Sequence, residues 1–247
     1  DPQTVVESAT ANGLAEGYLV GVAAGLRSEE LVVSTHLVPG RPADGISTAA
    51  REAKADLIVM TTHGRSGFAR GILGSVTDRV VLESSIPVCV VRADNAGNGS
   101  DGSNGSGESA NIVVPLDGSE HSEASLVVAD SLSRALSAPV KLVRSVGEDA
   151  GPVEIAHAGS YLDAIARKLE ESGLDISVAT TRETAVDAVI AEVKAYPGTL
   201  VVMATRGATG ATRLVRGSVA DELIHKSPAP VIVISSKDKA LVGKAIQ

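Results

Sequence analysis

The chain has 247 residues, of which 44% are hydrophobic, 21% charged and only 2% aromatic, the balance of a folded protein with a core of Val, Leu, Ile and Ala. Lys and Arg number 22 against 30 Asp and Glu, a net charge of −8, which is the wrong sign for a protein held on nucleic acid by phosphate contacts. No apolar run reaches the ~18–20 residues of a membrane span, nothing resembles a secretory signal peptide, and a lone Cys89 excludes an internal disulfide, so a cytoplasmic location is expected.

In chain order, Ile58–Thr62 reads as a strand, followed by a long glycine-containing loop from His63 to Gly74. Ser75-x-x-Asp78 reads as an N-cap opening a helix, and Pro87–Val91 as a strand in which Cys89 is a small buried hydrophobe. Gly97–Ser109 (GNGSDGSNGSGES) has the composition of a flexible linker. Beyond it, Ile112–Leu116 is a strand ending in the turn Asp117-Gly118-Ser119, and Glu120–Ser137 is a helix with apolar positions at Leu126, Val127, Ala129, Leu132 and Leu136. Val140–Val143 is a strand, Val153–Ser172 a helix stopped by Gly173, Ile176–Thr180 a strand and Ala185–Ala195 a helix. Thr199–Thr205, Val219–Lys226 and Val231–Ile234 complete the series as strand, helix and strand. Buried, non-alternating strands interleaved with helices predict a parallel sheet covered on both faces, with its ligand crevice beyond the carboxyl ends of the strands.

The sequence repeats itself. At an offset of 143, Asp56–Asp94 lies on Thr199–Lys237 without a gap, bringing Met60 onto Met203, Gly64 onto Gly207, Gly67 onto Gly210, Gly74-Ser75-Val76 onto Gly217-Ser218-Val219 and Asp78 onto Asp221. Tyr18 and Leu19 fall on Tyr161 and Leu162. The expected organisation is a first domain over 1–95, a linker over 96–110, a second and complete domain over 111–238 and a tail over 239–247. Residues 111–143 find no counterpart, so the first domain lacks a strand, a helix and a second strand here; a first residue other than Met suggests that the chain does not start where its gene does.

The loop after Ile58–Thr62, and its copy from Arg206 to Gly217, is longer than the 2–6 residues usual in α/β connections. Two readings stand: the glycines turn the chain, or strand, loop and helix N-terminus form an anion site in which backbone N–H groups and the helix dipole face a phosphate. Ser75 and Thr77 offer hydroxyls, whereas Ala220 removes the one at the copy of Thr77, and no Gly-Lys-Ser/Thr of an ordinary P-loop is present. Asp117 likewise reads either as turn chemistry or as a ligand contact. His63 reads as a phosphate contact or a metal ligand, but Arg206 replaces it in the copy, which suggests charge near a phosphate or simply a solvated loop. His121, Glu123, His157 and His225 read as surface or cap residues, with no metal spacing around them and no nucleophile elbow around Ser119.

The motif Gly-x2-Gly-x9-Gly-Ser/Thr resembles that of the nucleotide-binding members of the universal stress protein family. Gly64 with Gly74-Ser75, and Gly207 with Gly217-Ser218, fit its second glycine and its end, and Val114–Ser119 is similar to the family's first strand and turn. The motif's first glycine is Thr61 in one copy and Ala204 in the other. The resemblance implies two tandem open, parallel, five-stranded Rossmann-like sheets with helices on both faces. It also implies binding of ATP (with or without Mg²⁺), ADP or AMP, and a role as a nucleotide-responsive sensor in stress adaptation rather than an enzyme. Asp117, Val146, Met203, Gly207, Gly210, Gly217, Ser218 and Val219 would hold the nucleotide in the second domain. Met60, Gly64, Gly67, Gly74, Ser75, Val76 and Thr77 match in the first. The last strand of each domain, expected at a sheet edge, would pair in a homo-oligomer or between the two halves as a pseudo-dimer. The alternative is an interaction scaffold of the same fold that binds no nucleotide, and slow ATP hydrolysis stays open as a third reading.

Overall fold

The computed structural model describes residues 2–62, 74–92, 111–205 and 217–235. The chain divides into two compact units, Asp1–Ala53 and Lys54–Gln247. The first holds two helices, α1 (Pro2–Leu26) and α2 (Pro42–Glu52). Pro42 opens α2 with its preset φ, Asp44 sits in the first turn and Arg51 in the last, each on the side the helix dipole favours.

The second unit is built on one seven-stranded sheet, β1 (Ile58–Thr61), β2 (Val88–Val91), β3 (Ile112–Pro115), β4 (Val140–Ser145), β5 (Ile176–Thr181), β6 (Leu200–Ala204) and β7 (Val231–Ile234), in the order β1-β2-β7-β6-β3-β4-β5. Its helices are α3 (Ser75–Glu83), α4 (Glu120–Leu136), α5 (Pro152–Glu171), α6 (Ala185–Ala195) and α7 (Ser218–Lys226). Every pairing is parallel except β2 with β7, where Val88 faces Val233 and Val90 faces Val231. The strands that end each repeat therefore lie against each other inside the sheet, and their side chains are almost wholly buried: Val88 1%, Val90 2%, Ile232 1%, Ile234 0% exposed. Burying each such side chain is worth about 1.5–3 kcal/mol, so this junction is apolar core rather than an exposed edge.

Several elements of the repeat keep their bounds in the structure. An offset of 143 carries α2 onto α6, α3 onto α7 and β2 onto β7 with identical bounds. It also carries the β1–β2 register, Ile58 opposite Val88, onto the β6–β7 register, Val201 opposite Val231.

The second repeat supplies the five strands expected of it, in the doubly wound order β7-β6-β3-β4-β5. The first supplies two, and they join the same sheet instead of forming a second one. Residues 33–38, the counterpart of β5, are not in a strand.

Candidate functional site

In the second repeat β3 is followed outward by β4 and β5 on one side, and by β6 and β7 on the other. The crevice at such a reversal, beyond the carboxyl ends of the strands, is where open α/β sheets receive ligands. A cavity of about 230 Å³ lies there. Pro115, Leu116 and Asp117 line it from β3 and the turn after it, Val143 and Ser145 from β4, Met203 and Ala204 from β6. Gly217, Ser218, Val219 and Ala220 line it from the start of α7, with Ser122 of α4 and Ala185 of α6 completing the wall. The walls are thus apolar, with one carboxylate, serine hydroxyls and the first turn of a helix.

The turn that presents Asp117 is held by its own side chain. Asp117 Oδ1 accepts from Ser119 N at 3.0 Å and from Ser119 Oγ at 2.6 Å, and Ser119 Oγ in turn accepts from Ser122 N at 3.1 Å as the cap of α4. Asp117 therefore does the turn chemistry and also lines the cavity. On the other side, Gly217 is the N-cap of α7 (φ −61°, ψ 145°), and its carbonyl accepts from Asp221 N at 3.0 Å. The N–H groups at the start of α7 have no partner within the helix, and its dipole favours an anion there.

The helix starts differ from the sequence expectation by one residue. Gly74 and Gly217 are the caps, neither with a side-chain cap bond, and Ser75 and Ser218 are the first helical residues. Glycine takes the extended cap conformation, which leaves the serine side chains at the helix mouth. At Gly74 bulk is excluded: its N donates to the Thr62 carbonyl at 3.0 Å, and a Cβ there would lie 2.8 Å from the same oxygen.

Of the residues expected to hold a nucleotide, the structure brings Asp117, Met203, Gly217, Ser218 and Val219 to one cavity. Val146 follows β4 and donates through its N to the Thr181 carbonyl at 3.0 Å, outside the cavity lining. Met60 sits on β1, and Gly74, Ser75, Val76 and Thr77 open α3. Thr77 is 3% exposed and its hydroxyl donates to the Thr61 carbonyl at 3.0 Å, an internal tie between helix and strand. Ala220, at the equivalent place, is buried too. Gly64, Gly67, Gly207 and Gly210, with His63 and Arg206, lie outside the described residues.

Sequence reasoning missed Ser145, Ser122 and Ala185. For Ser145 the signal is strand alternation, because it shares a face with Val143, two residues back. His121 and Glu123 are also not the solvated residues expected. His121 Nε2 donates to the carbonyl of Thr205, the residue after β6. Burial pushes the His121 pKa down, and the nearby Asp117 carboxylate partly offsets this. Glu123 accepts from the Tyr161 hydroxyl at 2.9 Å.

Together these features define a doubly wound α/β protein with a crevice at its topological switch point. The sequence matches the universal stress protein family over residues 2–92 and 109–235, and the chain belongs to that family. A universal stress protein of Mycobacterium tuberculosis H37Rv is 30% identical over 215 residues, covering 83% of this chain and 69% of its own length. A universal stress protein of Archaeoglobus fulgidus DSM 4304 has the same fold, with a TM-score of 0.66 at 22% identity, over 92% of this chain and 79% of its own. Another from Archaeoglobus fulgidus, solved in complex with dAMP, aligns with 52% of this chain and 99% of its own at 21% identity and a TM-score of 0.42, too distant to place a ligand here.

Proposed function

We propose that the crevice of the second repeat binds ATP or a related adenine nucleotide, with or without Mg²⁺, and that the protein acts as a nucleotide-responsive sensor. The observation that carries this reading is the convergence of Asp117, Met203 and the first turn of α7 on one cavity. An apolar slot beside Met203 suits a purine face, Asp117 suits hydroxyl or amino donors of the nucleoside, and the free N–H groups at Ser218 and Val219 suit a phosphate. Among the described residues no set of nucleophile, base and orienting group accompanies the cavity lining, so binding rather than turnover is the reading; release of ADP over hours would argue for slow hydrolysis instead.

Calorimetric titration of the full chain with ATP and AMP, each with and without Mg²⁺, tests it, alongside Ser218→Asp. An acid at the first helical position suits the helix dipole and leaves stability intact, yet it repels a phosphate. We expect saturable binding by the wild type and a loss of about tenfold or more in affinity for the variant. Absence of binding to the wild type would sink the proposal.

A second reading, a scaffold of the same fold without nucleotide, is favoured by Ala204 in place of the motif's first glycine, at a position on the cavity wall. For assembly, we propose that the β2–β7 pairing acts as an internal pseudo-dimer, so that these strands leave no edge for a second copy.

A further inference from the structure

Arg144 is the last but one residue of β4, between Val143 and Ser145, which both line the cavity. Successive strand side chains point to opposite faces, so Arg144 is directed away from the cavity and toward the helices behind the Asp117-Gly118-Ser119 turn. Its guanidinium carbon lies 4.7 Å from the centre of the Tyr161 ring on α5, within cation–π range. A Cβ built on Gly118 would stand 2.8 Å from both terminal nitrogens of Arg144, so the guanidinium already fills the space a side chain would take there. Gly118 itself has φ +84°, a conformation that glycine adopts freely. The Tyr161 hydroxyl donates to Glu123 Oε1 at 2.9 Å, fixing the ring to the first turn of α4.

We propose that Arg144 is a positioning residue for the Asp117 turn: its planar guanidinium, stacked between the Tyr161 ring and the Gly118 backbone, braces the turn from behind and so sets the place of the Asp117 carboxylate in the cavity. Arg144 does not touch the ligand. Glu123 and Tyr161 orient the brace, linking α4, α5 and β4 to one turn. Its consequence for affinity rests on the nucleotide reading above; the brace itself does not.

The test uses the full chain with Arg144→Ala, Arg144→Lys and Tyr161→Phe, read by amide hydrogen exchange across 117–120 and by nucleotide titration. Gly118→Ala is added in the wild-type and Arg144→Ala backgrounds, read by denaturant unfolding. With Arg144→Ala, exchange of the turn amides should rise about fivefold to tenfold, the scale of a lost stacking contact, while amides of β7 stay unchanged. Arg144→Lys should fail to rescue, because an ammonium point charge cannot stack as a plane. Tyr161→Phe, which keeps the ring but loses the Glu123 bond that orients it, should fall between wild type and Arg144→Ala. Gly118→Ala should destabilise the wild type more than the Arg144→Ala variant, because only the wild type places a guanidinium where the new Cβ must go. Unchanged exchange in Arg144→Ala, or equal costs of Gly118→Ala in the two backgrounds, would overturn the brace. Should turn exchange respond while the wild type binds no adenine nucleotide, the brace holds and the nucleotide reading fails. Should nucleotide bind equally to wild type and Arg144→Ala with unchanged exchange, the brace fails and the nucleotide reading holds.

Discussion

His121 is held on the Thr205 carbonyl, with burial depressing its pKa. The folded state then binds this proton less readily than the unfolded chain, whose histidine titrates near ~6.5. Stability is therefore fully present above that value and falls as the pH drops below it, and the loss stops growing once the lower folded pKa is passed. Unfolding midpoints measured from pH 7.5 down to 5 should fall for the wild type, and fall less for His121→Gln; parallel curves would remove His121 as the cause. Gly74 offers a steric counterpart. Its φ of −58° suits any residue, so the cost of Gly74→Ala comes from the 2.8 Å approach to the Thr62 oxygen, a backbone atom that cannot swing aside. We expect a loss of about 1–3 kcal/mol in denaturant unfolding, and an unchanged midpoint would show that the strand end yields. Much at this scale was not legible in sequence. Ser75-x-x-Asp78 has the letters of a cap, yet Gly74 does the capping; Thr77 looks available to a phosphate, yet it is spent on Thr61. The contacts of Tyr161 with Glu123 and Arg144 join residues 38 and 17 positions apart, beyond the reach of any local pattern.

At the scale of elements, the sequence was far more informative, because periodicity and punctuation act locally. β7, Val-Ile-Val-Ile with every residue buried, is the continuous apolar strand its letters suggest. α6 keeps the bounds Ala185–Ala195, capped by Thr184, which accepts from Asp187 N at 3.1 Å. Residues 33–38, at the repeat offset from β5, form no strand. The β2–β7 junction has its own consequence. Cys89 sits on β2 opposite Ile232, 7% exposed, and burial pushes its thiol up to about 11. The thiolate that reacts with disulfide reagents is then scarce at pH 8. Native protein should label slowly with a thiol reagent, and fully only in denaturant; rapid native labelling would mean that β2 opens from β7.

At the scale of the whole molecule, the switch-point crevice seen among the described residues belongs to the second repeat. The second repeat brings β3, β4, β6 and α7 to its switch point. In the first repeat β1, the Gly74 cap and α3 correspond to β6, the Gly217 cap and α7. The acidic balance of the chain, −8 overall, does not oppose an anionic ligand, because among the described residues the phosphate end of the proposed site offers backbone N–H groups and a helix dipole, which act locally. The most direct test is the nucleotide content of the purified full chain, released by denaturation and quantified by chromatography and mass spectrometry for the wild type and Ser218→Asp. Adenine nucleotide approaching one equivalent in the wild type and lost in the variant is the expected result. A wild type that releases none, and gains no thermal stability when ATP and Mg²⁺ are added, would contradict the nucleotide-binding reading.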